Sequence, residues 1–270
     1  MGLKLAISGK GGVGKSTLAA MFAHLAAEEL RVIAIDADPD ANLAAALGMS
    51  PEDRKAIVPL SQRRALIEER TGAKVKQYGQ IFKLNPDVSD IAENESAQFR
   101  GIHLLVLGAI EGGGTGCACP ESIMLRALLT DVVLYKDDCV IIDFEAGLEH
   151  LGRATAQGVS LLVVVVEPGG RAVETAASVK KMASEIGVKR VVVIGNKIAT
   201  AEDRAFLQAA FPGPALLGVL PYNETIRRAD RESVPLVDIA DAELLGEFRG
   251  LWAKVKELAG SGAAENTRKL

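Results

Sequence analysis

The stretch Leu3-Lys4-Leu5-Ala6-Ile7-Ser8-Gly9-Lys10-Gly11-Gly12-Val13-Gly14-Lys15-Ser16-Thr17 decides the fold. Leu3–Ser8 is a short apolar run of strand type, and Lys15–Glu29 repeats apolar residues at helical spacing through Leu18, Met21, Phe22 and Leu25. Between them, Gly9–Ser16 fits G-x-x-x-x-G-K-[ST], in the strand–loop–helix setting that such a match requires. Its glycines let backbone N–H groups turn toward a phosphate, and the following helix N-terminus adds positive potential. Gly9, Gly11, Gly12, Val13, Gly14 and Thr17 would form the cradle, Lys15 would reach the β and γ phosphates, and Ser16 would offer its hydroxyl to Mg²⁺. An ordinary glycine-rich turn is the competing reading, and the position between strand and helix weighs against it.

Working outward, Arg31–Asp36, Ile102–Leu107, Cys139–Asp143, Leu161–Val166, Arg190–Gly195 and Leu216–Leu220 read as further strands. Helices are expected between them, notably over Pro120–Tyr135, Arg171–Ile186 and Asp241–Leu258. The alternation predicts an α/β fold, a doubly wound and mostly parallel sheet flanked by helices, with ligands at the carboxyl ends of the strands. We expect a single domain over residues 1–259. Residues 50–101, with Pro51, Pro59 and Pro86, break the rhythm and read as an insertion on that domain with one helix around Leu60–Glu69. Residues 260–270 lack an apolar face and read as a disordered tail.

Composition narrows the classes. At 270 residues with 49% hydrophobic and 24% charged residues, a disordered or fibrous chain is excluded. Aromatics at 4% suit parallel strands under helices better than an aromatic-rich sandwich. The net charge of −4, with no basic run longer than Gln62-Arg63-Arg64, argues against nucleic acid as partner. Leu161–Val166 is the longest apolar run and too short to span a bilayer. Met1-Gly2-Leu3-Lys4 enters a strand without a signal-peptide pattern, and three cysteines do not make a secreted disulfide framework, so a cytoplasmic protein is expected.

Two further features face the phosphate loop. Cys139-Val140-Ile141-Ile142-Asp143 is an apolar strand ending in a carboxylate, so Asp143 would hold Mg²⁺ through water. Gly195-Asn196-Lys197-Ile198-Ala199 follows another strand. A guanine site of the N-K-x-D type needs a carboxylate where Ala199 stands, whereas the Asn196 amide can pair with adenine. ATP or ADP is therefore the expected nucleotide, with Pro221 and Tyr222 walling the base.

Lys10 is an addition to the loop pattern. Lys10-Gly11-Gly12-Val13-Gly14-Lys15-Ser16 resembles the deviant Walker A motif of the MinD/ParA/nitrogenase-iron-protein class of P-loop NTPases. The resemblance implies that Lys10 crosses a homodimer interface to the partner's nucleotide. It also implies that Ile35–Asn42 is switch I, with Asp38 acting on the attacking water, and that Glu145-Ala146-Gly147 begins switch II. A solvated loop lysine and strand-end carboxylates are the plainer alternatives.

The most unusual segment is Glu111-Gly112-Gly113-Gly114-Thr115-Gly116-Cys117-Ala118-Cys119-Pro120-Glu121. Pro120 suits the first turn of a helix, which puts Cys119 at its N-cap, where the dipole favours thiolate. Thiolates are soft metal ligands. One C-x-C supplies only two of the four ligands of a closed site. Cys139 reads as a small buried hydrophobe, and a two-fold dimer would supply the missing pair. A redox pair or two incidental thiols remain open. His24 and His103 read as packing or surface residues, and His150 has no assigned role.

At this point the resemblance sharpens. Gly116–Glu121, Glu145–Arg153, Pro59–Ser61, Glu68–Lys74 and Lys83–Pro86 look like the CooC family of accessory ATPases for nickel insertion into carbon monoxide dehydrogenase. The related accessory protein of acetyl-CoA synthase has the same pattern. The resemblance implies that Cys117 and Cys119 of two subunits share one metal ion, Ni²⁺ in a square plane or Zn²⁺ in a tetrahedron, with one of these enzymes as client. Rival readings stay in view. A MinD-like positioning protein needs a basic amphipathic C-terminal helix, which Ser261–Leu270 does not supply. A ParA-like partition protein needs a basic face. A nitrogenase-type iron protein carries its cysteines far apart, and an Fe–S scaffold ATPase of this fold is the strongest alternative.

Overall fold

The computed structural model describes residues 2–75, 77, 79–109, 119–136, 138–145 and 153–266. Eight strands form one sheet: β1 Lys4–Gly9, β2 Val32–Ala37, β3 Ala97–Phe99, β4 Ile102–Val106, β5 Cys139–Phe144, β6 Leu161–Val166, β7 Val191–Ile198 and β8 Leu216–Pro221. Their order is β3-β4-β2-β5-β1-β6-β7-β8. Every pairing is parallel except β3 with β4.

All six residues of β1, β2, β5 and β6 are buried, because helices cover both faces of the sheet. Alternate side chains feed two cores. Leu5, Ala34, Ile141 and Val163 pack toward the helices Lys15–Ala27 and Ala242–Asn266, where the rings of Phe22 and Trp252 lie 5.3 Å apart. Ala6, Ile35, Ile142 and Val164 pack toward Arg64–Thr71, Pro120–Tyr135 and Gly170–Ile186.

Residues 50–101 pack onto the second core through Leu60, Ile67, Val88 and Ile91, and extend the sheet with β3. Where one helix was expected around Leu60–Glu69, a 3-10 turn at Leu60–Gln62 precedes a helix at Arg64–Thr71. The break falls at Arg63, whose backbone leaves the helical region and whose guanidinium bonds to Val58 O and Glu95. The last helix runs on to Asn266, past Gly260, where the sequence reads as a tail. Ala263, Ala264 and Glu265 are strong helix formers, and each added residue costs little once a helix exists.

Lys4, at the start of β1, is buried and turns its ammonium onto the C-terminal end of the helix Pro120–Tyr135. It donates to Val132 O at 3.2 Å, to Asp138 O at 3.3 Å and to Lys136 O. A cation there meets the negative end of the helix dipole and its unpaired carbonyls.

Candidate functional site

β1 delivers the loop Gly9–Gly14 to the helix Lys15–Ala27 at the carboxyl edge of the sheet. Two glycines are dictated by contact as well as by dihedral. A Cβ at Gly9, with φ +152°, would sit 2.4 Å from Val165 O, and one at Gly14, with φ +98°, would sit 2.3 Å from Asn196 Nδ2. Both positions therefore exclude side chains.

Lys15 is buried and forms an ion pair with Asp38 Oδ2 at 3.5 Å. Asp38 reaches this point because Asp36, at the end of β2, holds the following loop. The Asp36 carboxylate accepts from Asp38 N at 3.2 Å and from Leu43 N at 2.8 Å. Asp36 lies directly opposite Asp143 in the β2–β5 register. Burial, with the charge of Asp143 as the second cause, pushes the Asp36 carboxyl up to about 7. Burial likewise lifts Asp143 to about 6, against the pull of Ser16 and Lys15.

Among the described residues, neither oxygen of the buried Asp143 carboxylate has a partner in good hydrogen-bonding geometry, although the Ser16 hydroxyl stands close enough to lower its pKa. Unsatisfied buried carboxylate oxygens beside a serine hydroxyl fit a hydrated Mg²⁺, whose charge removes the desolvation cost. Ser8 Oγ donates to Glu145 O at 2.7 Å and ties β1 to the segment after β5.

Lys15, Ser16 and Asp38 open onto a cavity of about 650 Å³, while Asp36 and Asp143 lie buried behind it. Gly11, Gly12, Gly14, Lys15, Ser16 and Thr17 line one side, and Asn196, Pro221 and Tyr222 line another. Of the expected nucleotide residues, Gly11, Gly12, Gly14, Lys15, Ser16, Thr17, Asn196, Pro221 and Tyr222 share this hollow; Gly9, Val13 and the expected Mg²⁺ ligand Asp143 do not line it, and Lys10 is exposed on the loop nearby. Asn196 is braced beneath the loop: its Nδ2 donates to Val13 O at 2.8 Å, and its Oδ1 accepts from Lys197 N at 2.9 Å. One donor and one acceptor position of the amide are left for a base. Tyr222 is positioned by Glu224 and Arg227, bonded to its hydroxyl at 2.9 and 3.0 Å.

Cys119 caps the helix Pro120–Tyr135, its Sγ accepting from Ser122 N at 3.4 Å. Cys117 and His150 lie outside the described residues. Cys139 is buried in β5 among the apolar side chains of the first core, and burial pushes its thiol up to about 12. Among the described residues no cluster of three His, Cys, Asp or Glu is set to hold a metal. His24 Nε2 lies 3.1 Å from Leu47 O and His103 Nδ1 lies 3.0 Å from Ser96 Oγ, so both are packing residues. No helix among the described residues is long and apolar enough to cross a membrane.

Lys197, in the N-K pair after β7's apolar run, carries no expected role from its sequence. Only its contacts to the phosphate loop reveal it, and no sequence pattern announces them.

The sheet order, the loop and the two acidic strand ends define a P-loop ATPase that takes ATP or ADP with Mg²⁺. Residues 4–236 match the CobQ/CobB/MinD/ParA nucleotide binding domain family, and the chain belongs to that family. It is 43% identical to the carbon monoxide dehydrogenase accessory protein CooC of Rhodospirillum rubrum over 241 residues, 89% of this chain and 91% of that protein. It is also 43% identical to an uncharacterised ATP-binding protein of Methanocaldococcus jannaschii, across 87% of this chain and 91% of that one. Among solved structures, the septum site-determining protein MinD of Pyrococcus horikoshii with Mg-ADP superimposes with a TM-score of 0.65 at 20% identity, covering 96% of this chain and 98% of that chain. A plasmid partition protein of Borrelia burgdorferi bound to AMPPNP gives 0.66 at 16%, covering 94% of this chain and 99% of that one. These two share the fold.

Proposed function

We propose that this chain is an ATP-driven maturation ATPase that holds nickel between two protomers and supports its insertion into carbon monoxide dehydrogenase or acetyl-CoA synthase. The observation that carries the reading is the 43% identity to CooC along 89% of the chain, combined with the Cys117-Ala118-Cys119 segment leading into the helix Pro120–Tyr135.

Lys15 holds the β and γ phosphates, Asn196, Pro221 and Tyr222 take the adenine, and Ser16 with Asp143 holds Mg²⁺. Held by Ser16 and, through water, by Asp143, Mg²⁺ would supply charge neutralisation to the phosphates. Asp38 leaves its ion pair with Lys15 as the phosphates claim that ammonium, and its carboxylate then aligns the attacking water and accepts its proton. Lys10 reaches the partner's nucleotide and offsets charge in the transition state, which makes turnover depend on the dimer. Cys117 and Cys119 of both protomers ligate one ion, which is cargo for the client.

Equilibrium dialysis tests the reading with Ni²⁺ and Zn²⁺, with and without ATP. One ion per two chains, lost when both Cys117 and Cys119 become Ala while ATP binding persists, is expected. One ion per chain, or binding that survives the double substitution, overturns it. An iron and sulfide count on anaerobically purified protein separates it from an Fe–S scaffold.

A further inference from the structure

Lys197 follows Asn196 in β7 and adopts φ +59°, a left-handed conformation uncommon outside glycine. Its Nζ donates to Gly12 O at 2.7 Å and pairs with Glu167 Oε2 at 3.4 Å. The adjacent Asn196 amide donates to Val13 O at 2.8 Å. Two consecutive carbonyls of the phosphate loop are therefore held by two consecutive residues of another strand.

The consequence is geometric. In a trans peptide the C=O and the following N–H point in opposite directions. Fixing Val13 O against Asn196 turns the Gly14 N–H to the other side of the loop. Fixing Gly12 O against Lys197 turns the Val13 N–H inward, where it meets Lys10 O at 3.3 Å across the loop. Gly12 itself has φ +75°, and among the described residues nothing lies within 4 Å of a Cβ placed there. The lysine bond restrains its carbonyl.

We propose that Lys197 is a positioning residue for nucleotide: with Glu167 aiming its ammonium, it holds the Gly12 carbonyl so that the loop is preorganised for phosphate before nucleotide arrives. It lines the same cavity, with its ammonium committed to the Gly12 carbonyl and to Glu167, and takes no part in the chemistry. The inference rests on reading Gly9–Thr17 as the nucleotide phosphate loop.

The test compares Lys197→Ala, Lys197→Met and Lys197→Gly in binding of a fluorescent ATP analogue and in steady-state ATP hydrolysis. Loss of a charge-assisted hydrogen bond from preorganisation should raise the nucleotide Kd and KM about 10- to 100-fold in all three. The kcat at saturating ATP should change less than the KM does. Glycine accepts the left-handed backbone, so Lys197→Gly should melt above Lys197→Ala yet bind nucleotide as weakly. Native affinity in Lys197→Met or Lys197→Gly, or a fall in kcat with KM unchanged, overturns the proposal. Lys15→Ala is the control. If it also binds normally, the phosphate-loop reading itself has failed. If only the Lys197 variants bind normally, that reading stands and this inference alone is lost.

Discussion

Lys15 and Asp38 meet at 3.5 Å with side chains only 6% and 12% exposed, so the residue assigned to phosphate and the residue assigned to water neutralise each other. Truncating either leaves the other charge largely desolvated, yet the two losses should be told apart by function. Lys15→Ala should weaken ATP and ADP binding by about 100-fold, the range expected for a lost charge-assisted contact. Asp38→Ala should bind nucleotide at least as well as the native protein and lose kcat by about 10²- to 10⁴-fold. Calorimetry and phosphate release measure the two effects, and wild-type turnover in Asp38→Ala removes its role.

ATP should favour the dimer more than ADP does. Lys10 is exposed beside the cavity, and its assigned contact exists only when two protomers face each other. A ligand shifts an equilibrium only by its differential affinity for the two states. Light scattering with each nucleotide should show the shift, and Lys10→Ala should abolish it. A Lys10→Ala protein that dimerises and hydrolyses ATP normally would falsify the contact in trans.

Without Mg²⁺, the paired carboxylates set a pH dependence. Asp36 near 7 and Asp143 near 6 are both raised above an ordinary value of 3.8, so the folded chain binds protons that the unfolded chain has released. Their contribution is complete below about pH 4 and is lost as pH rises through 6 to 7. Urea midpoints measured in chelator should fall across that interval, and Asp143→Asn should flatten the fall. His24 has the opposite sign. Burial holds its pKa below 6.5, so its term lowers stability as pH drops through 6.5 and below. An Asp143→Asn protein whose midpoints follow the same pH slope as the native chain in chelator would show that the carboxylate assignment is wrong.

Gly14→Ala should cost about 1–3 kcal/mol from the backbone strain alone. The new methyl would also meet Asn196 Nδ2 at 2.3 Å and push it off Val13 O. Thermal melting with and without ADP separates the two effects: the nucleotide-induced rise in Tm should shrink along with the starting Tm. An unchanged rise would show that Asn196 does not brace the loop.

Much of this was legible in the sequence because buried parallel strands leave continuous apolar runs, and Leu161–Val166 begins and ends as read. The N-cap at Cys119 was legible from Pro120 alone. The strand Ala97–Phe99 was not, since three residues at an edge carry no period and gain their conformation from pairing with Ile102–Leu104. Nor was the break at Arg63, which depends on Glu95, distant in sequence. At the site, residue types announced Lys15 and Asp143. The tethering of Asp38 by Asp36 and of Gly12 by Lys197 arises from strand adjacency, which no local pattern encodes.

The ammonium of Lys4 beneath the last turn of Pro120–Tyr135 bears on how that helix breathes. Helices fray from their ends, and amide exchange reports the fraying. Here the C-terminal end is clamped by a buried cation from the central strand, while at the other end Cys119 accepts from Ser122 N through its sulfur at 3.4 Å and from Ile123 N through its carbonyl at 3.0 Å. Opening is therefore expected to begin at the N-terminal end. The turn that begins at Cys119 is then the one expected to open first, ahead of the helix behind it.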